Sequence, residues 1–179
     1  MQEKAGFSVF FCYLNILKKE NVYKNKMKNN FYIKQLFHAR KLNSDKDYHI
    51  FENAVKNLYD KITIQDIYKI CNIFCDNTND HEFMFQLVHL IEQIKGKCYL
   101  YCIARCSPDM TEANELAMIL NKRIINSSEN FYSYIQVIRE LQEPYKTNIL
   151  NLLIDIKHDD TEKFGDKIDF LIEKANKIF

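Results

Sequence analysis

The sequence predicts an all-α fold, an array of about 8 to 9 antiparallel helices stacked as αα-hairpins, and three observations predict it. Glycine occurs 3 times and proline 2 times in 179 residues, which removes the punctuation that β-hairpins, Gly-rich phosphate loops and many-turned β architectures need. Apolar residues recur at helical spacing from Phe31 onward. Helix starts fall near residues 28, 45, 63, 80, 97, 111, 129, 145 and 161, a recurrence of about 17 residues, so paired helices recur at about 34. The pairs do not align residue by residue, and the spacing suits a HEAT-like solenoid and an irregular helical array equally.

Taken in order, Phe31, Ile33, Leu36 and Phe37 open the first helix. Ser44 or Asp45 caps the next, whose inner stripe is Tyr48, Phe51, Val55 and Leu58. Thr63 and Asp66 form a capping box ahead of Ile67, Ile70, Ile73 and Phe74. After the turn Asp76 to Asp80 comes a helix with Phe83, Phe85, Leu87, Val88, Leu90, Ile91 and Ile94, stopped by Gly96. Apolar on most sides, it is expected to be the central, most buried helix. Tyr99 to Cys106 is a short helix ended by Ser107 and Pro108. Asp109 or Thr111 starts one with Leu116, Ile119 and Leu120, and Ser127 or Ser128 starts one with Tyr132, Ile135, Val137, Ile138 and Leu141. Pro144 suits the first turn of a helix carrying Ile149, Leu152, Leu153 and Ile156. The last begins at Thr161 or Asp166 and runs through Ile168, Leu171, Ile172 and Ala175.

The length suits one domain with a substantial core. A hydrophobic share of 47% with 27% charged residues is that of a folded soluble chain, neither disordered nor membrane-embedded. Residues 27–179 are expected to form that domain. Residues 1–26 stand apart: either an extension of the reading frame ahead of Met27, or an amphipathic docking helix with Phe7, Phe10, Phe11, Leu14 and Leu17 inward. The stretch from Phe7 to Leu17 is too short to span a bilayer and no small-residue cleavage site follows, so the expected location is cytoplasmic.

The net charge of +1 hides an asymmetry: residues 1–44 carry 9 Lys/Arg against 2 Asp/Glu, residues 45–179 carry 16 against 22. An acidic body is a poor ligand for nucleic acid and a suitable one for a basic protein, though it also serves solubility.

Several chemistries are excluded. The turn Asp76-Asn77-Thr78-Asn79-Asp80-His81-Glu82 opens like a calcium loop, but His81 sits where glycine must make the sharp turn and Leu87 where a bidentate Glu is required. A helix-capping role for Asp80 or Asn79 is the competing reading. No His-Glu-x-x-His or Cys-x-x-Cys pattern offers zinc ligands, and His89 between Val88 and Leu90 reads as a buried, hydrogen-bonded histidine. The six cysteines are expected to be reduced core residues, because Cys71 and Cys75, and Cys98, Cys102 and Cys106, recur at four-residue spacing among apolar neighbours. Neither a nucleophile elbow nor a phosphate loop is present, so no enzyme, metal or cofactor is expected. Tyr99, Tyr101, Tyr132, Tyr134 and Tyr145 are candidate interface tyrosines, with core packing as the alternative.

The stretch from Cys75 to Glu92, an acidic turn running into Met84-Phe85-Gln86-Leu87-Val88-His89-Leu90-Ile91-Glu92, resembles the central motif of the immunity protein 30 family of bacterial polymorphic toxin systems. Pro108, Ala117, Leu120, Arg123, Ile124 and Asn126 match a later family stretch, with Ile125 in place of leucine. The resemblance covers about residues 45–140, and His81 departs from the acidic residue common at that position. It implies an immunity protein that binds and neutralises the effector domain of a cognate toxin, many such effectors being nucleases. The alternative is a helical-repeat adaptor with another partner. Charge complementarity with a basic cleft nominates Asp76, Asp80, Glu82, Glu92, Glu112 and Glu115 as partner contacts. No nucleic-acid or membrane partner is expected.

Overall fold

The computed structural model describes residues 21–177, and the side chains from Met27 onward. Nine α-helices make up the described chain: α1 (Asn21–Ala39), α2 (Asp45–Leu58), α3 (Ile64–Cys71), α4 (His81–Ile91), α5 (Lys97–Cys106), α6 (Asn114–Asn126), α7 (Phe131–Glu140), α8 (Tyr145–Asp159) and α9 (Thr161–Asn176), with a 3-10 turn at Ser107–Asp109. No strand occurs among the described residues. The docking-helix reading of Phe7 to Leu17 lies outside them. Helix α1 starts at Asn21, ahead of the expected start near 28, and runs through Met27.

The helices form two layers of stacked hairpins. Odd-numbered helices pack side by side, α1 on α3, α3 on α5, α5 on α7 and α7 on α9; α2 packs on α4 and α6 on α8 in the other layer. Consecutive helices run antiparallel, so members of one layer are parallel. One edge of the array therefore carries the turns α1/α2, α3/α4, α5/α6 and α7/α8, and the opposite edge carries the rest.

Local sequence sets most boundaries. Ser44 caps α2 by accepting from the Asp47 amide at 3.3 Å. The carboxylate of Asp66 accepts from the amide and hydroxyl of Thr63, each at 2.9 Å, and from Asn29 Nδ2 at 3.0 Å, which ties α1 to the start of α3. Asp160 caps α9 through the Lys163 amide. The start of α6 differs from the expected Asp109 or Thr111. The 3-10 turn at Ser107–Asp109 intervenes, and the capping carboxylate comes from Asp76, far away in sequence. Local capping rules do not see such a partner.

Two burial expectations are corrected. Helix α4 buries Met84, Leu87, Val88, Leu90 and Ile91 but leaves Phe85 and His89 exposed. The central helix is α5, which buries Tyr99, Leu100, Cys102, Ile103, Ala104 and Cys106 and packs against α3, α6, α7 and α8. Its ten residues hide their centrality because Lys97 and Arg105 and the polar-tipped Tyr99 and Tyr101 interrupt its apolar pattern, whereas α4 reads as a nearly continuous apolar run. His89 is solvent-facing, 66% exposed at its side chain, with Nδ1 3.8 Å from Glu92.

The cysteines also depart from expectation. Cys71, at the end of α3, and Cys106, at the end of α5, are joined as a disulfide with Cα atoms 6.3 Å apart. Helical spacing places each on its own helix face and is silent about partners on another helix. Cys75 and Cys102 are buried thiols. Burial pushes the Cys102 thiol up to about 11, offset in part by its hydrogen bond with Tyr68.

Inside the core, the wholly buried Asn121 donates to Ser107 Oγ at 2.9 Å and to the Ala117 carbonyl at 2.8 Å, and accepts from the Tyr134 hydroxyl. Around this satisfied network the packing is apolar, each fully buried Leu, Ile or Phe being worth about 1.5–3 kcal/mol of transfer free energy.

Candidate partner-binding site

Five of the six nominated carboxylates gather at one edge of the array. The turn from Asn72 to Asp80 is pinned at both ends. Asp76 accepts from the amides of Glu115 at 2.8 Å and Leu116 at 3.3 Å, and donates its own amide to the Glu112 carbonyl at 2.9 Å. Asn79 donates its amide to the Lys41 carbonyl and Nδ2 to the Leu42 carbonyl. Asp80 accepts from the Glu82 amide at 2.9 Å as the N-cap of α4. The turns α1/α2, α3/α4 and α5/α6 are thus stitched into one surface, on which Asp80 holds the amino end of α4 and Asp76 that of α6.

Within this edge the carboxylates divide by employment. Asp76 and Asp80 hold helix ends, a use that satisfies amides otherwise without acceptors and favours negative charge against the helix dipole. Glu112 accepts from Arg40 Nη2 at 2.7 Å; Arg40 also donates to the Asn72 carbonyl and lies over the Phe37 ring at 4.1 Å. Its carboxylate nonetheless remains largely in solvent. Glu82 and Glu115 are exposed, and neither side chain makes an ion pair among the described residues.

Glu92 does not join them. It caps the far end of α4, 11 residues and so roughly 16 Å away, and its carboxylate accepts from Arg123 Nε at 2.7 Å and Nη2 at 2.8 Å. The hydrogen bond to Glu92 is the main cause of a raised Arg123 pKa. This pair fastens α4 to α6, and both partners come from the two stretches that carry the family resemblance. Arg123 was named for that resemblance alone; the spacing along one helix cannot announce a partner on another.

The tyrosines divide similarly. Tyr134 is wholly buried and Tyr99 nearly so, which removes both as ready-made contacts. Tyr101, Tyr145 and also Tyr68 are half-buried around the Arg105 guanidinium, which lies 4.1 Å from the Tyr145 ring centroid. Tyr132 is 65% exposed and meets Phe131 and Phe170 edge-on.

No cluster of three or more metal-ligating side chains occurs among the described residues, and no helix there is long and apolar enough to cross a membrane. The turn's carboxylates point to backbone amides rather than converging on a cation position.

No curated protein and no solved structure matches this sequence. The family model for immunity protein 30 matches residues 38–134. That span runs from the end of α1 into α7 and contains the pinned acidic turn, both amino ends it joins, and the Glu92–Arg123 pair. The chain belongs to the immunity protein 30 family.

Proposed function

We propose that this chain is a stoichiometric inhibitor which, in the cytoplasm of the producing cell, binds and neutralises the effector domain of a cognate toxin. Family membership supports the role, and the observation that carries the choice of surface is the edge where Glu82, Glu115 and Glu112 face solvent beside the amino ends of α4 and α6. An effector of the nuclease type presents a basic substrate cleft. Carboxylates on a preformed edge complement such a cleft, speed association, and require no catalytic group of their own. Asp76 and Asp80 act in this reading by shaping the edge, and Glu82 and Glu115 by meeting the partner.

The test is co-expression with the effector domain encoded beside this gene, scoring growth and co-purification. Rescue with a stable complex, lost or weakened by roughly tenfold or more in the Glu82→Lys/Glu115→Lys double variant, is the expected result. Rescue that the charge reversal leaves intact rejects this edge as the contact. A failure of the unmodified chain to rescue or to co-purify rejects the inhibitor role for that toxin.

A further inference from the structure

The disulfide stands at the base of the acidic edge. Cys71 is the last residue of α3 and Cys106 the last of α5, so each sulfur lies where its helix enters a turn of that edge. The bond therefore ties the turn α3/α4 to the turn α5/α6 across 35 residues of sequence. These two turns lead directly into the exposed Glu82 and Glu115.

A second set of links spans the same gap. Arg40 donates both to the Asn72 carbonyl, one residue beyond Cys71, and to the Glu112 carboxylate. The Asp76 amide donates to the Glu112 carbonyl, and its carboxylate accepts from the Glu115 and Leu116 amides. Behind the edge α3 and α5 pack on each other, with Ile67, Ile70, Leu100 and Ile103 wholly buried. None of these contacts needs the sulfur–sulfur bond. A buried thiol packs as a small hydrophobe, so reduction leaves the core filled and the two turns joined by hydrogen bonds alone. Hydrogen bonds between surface turns open locally at little cost, whereas a covalent bond closing a 35-residue loop does not. One fold thus has two degrees of order at this edge.

We infer that Cys71 and Cys106 form a redox-operated clasp on the acidic edge, closed as the disulfide and released as the dithiol, in exchange with a small-molecule thiol–disulfide couple. In release, a small-molecule thiolate attacks the Cys106 sulfur, the more accessible at 8% exposure against 2% for Cys71. The sulfur–sulfur bond breaks and Cys71 leaves as a thiolate. A second thiolate then displaces Cys106 from the mixed disulfide, and the protons of the two small-molecule thiols pass to the two cysteines. The protein disulfide is reduced to two thiols while two small-molecule thiols are oxidised to one disulfide; closure is the reverse. The clasp does not depend on what the edge binds.

The test equilibrates the full chain in glutathione buffers, once with the thiol and once with the disulfide in large excess, and reads intact mass, disulfide mapping and amide hydrogen exchange. In excess glutathione disulfide the chain should be lighter by two hydrogens, with Cys71 linked to Cys106. In excess glutathione it should regain them and keep its helical circular dichroism. The amides of Asp76, Glu115 and Leu116, whose acceptors lie across the gap, should exchange roughly tenfold or more faster in the reduced chain, with those of α9 unchanged. Cys71→Ala/Cys106→Ala should exchange like the reduced chain in both buffers, and Cys75→Ala/Cys98→Ala should respond like the unmodified one. A bond that excess glutathione leaves intact, or that excess glutathione disulfide fails to form, overturns the inference, as does a link to another cysteine. Reduction that leaves those three amides unchanged, or that accelerates exchange equally throughout the chain, overturns it as well.

Discussion

The carboxylate of Glu92 and the guanidinium of Arg123 meet in a bidentate pair that joins the carboxyl end of α4 to the last turns of α6. Both helices begin at the acidic edge, where Asp76, in the turn between α3 and α4, holds the start of α6. The two helices are thus joined at their carboxyl ends, while their amino ends are held by separate carboxylates, Asp80 on α4 and Asp76 on α6. Arg123 is 42% exposed and Glu92 20%, so solvent screens the contact. A double-mutant cycle with Glu92→Gln and Arg123→Ala, followed by urea unfolding, is expected to give a coupling of about 0.5–1 kcal/mol. A coupling indistinguishable from zero would show that the two helices are held by their apolar contacts alone.

Asp76 is expected to matter more for stability than any exposed acid of its edge. Replacing it by Ala withdraws the acceptor for two amides at the start of α6 and should cost about 1–2 kcal/mol, visible as a lowered urea midpoint at unchanged slope. Glu82→Ala and Glu115→Ala should stay within about 0.5 kcal/mol. If Asp76→Ala unfolds no earlier than these two, the capping role is refuted.

Gly96 has φ +77° and ψ −164°, a backbone region essentially restricted to glycine, yet a Cβ built there meets no atom within 4 Å. Gly96→Ala therefore reads backbone strain without steric clash, and a loss of about 1–2 kcal/mol is expected. An unchanged thermal midpoint would mean that the turn relaxes to another conformation.

Stability should fall on the alkaline side. Burial raises the pKa of Cys102 to about 11 from 9.0 and raises Tyr68, Tyr99 and Tyr134 above their ordinary value. In the unfolded chain these groups lose protons from about pH 9 upward while the native state retains them, so unfolding releases protons and stability declines as pH rises from there. The contribution is fully present below about pH 9. Denaturation midpoints taken from neutral pH to beyond pH 10 should decrease steadily, and less steeply in Cys102→Ala. A flat profile across that window contradicts the assignment of these groups as natively protonated.

Association with a basic effector should slow as ionic strength increases, because exposed carboxylates steer partners over distances of about a Debye length, roughly 8–10 Å near physiological salt. Stopped-flow association rates in the presence of increasing NaCl measure this. A rate insensitive to salt would point to an apolar contact, for which Tyr132 and Phe170 offer exposed aromatic surface.

Helix number, order and class were legible because each helix has an apolar stripe and a polar stop of its own. Ser44 and Thr63 with Asp66 act within a few residues of themselves, and the structure uses them at the expected places; α4 instead ends at Ile91, ahead of Gly96, which opens α5, and the cap of the last helix is Asp160, one residue before the expected Thr161. What stayed hidden depends on contacts between distant residues: Asp76 capping α6, Arg123 holding Glu92, Cys71 bonded to Cys106, and the burial of α5. The nominated acids formed one set by charge alone, and charge along a chain does not say which end of a helix bundle a residue occupies. Tertiary structure separates Glu92 from the others by the length of α4 and assigns Asp76 and Asp80 to capping.

The alternation of helix direction makes edge membership a matter of parity. A residue in the turn after an odd-numbered helix lies on the acidic edge, and one in the turn after an even-numbered helix lies on the opposite edge. Gain or loss of a whole hairpin preserves that assignment for every downstream turn, whereas gain or loss of a single helix exchanges the two edges from that point onward. An array of this kind can lengthen or shorten two helices at a time while keeping its two surfaces distinct.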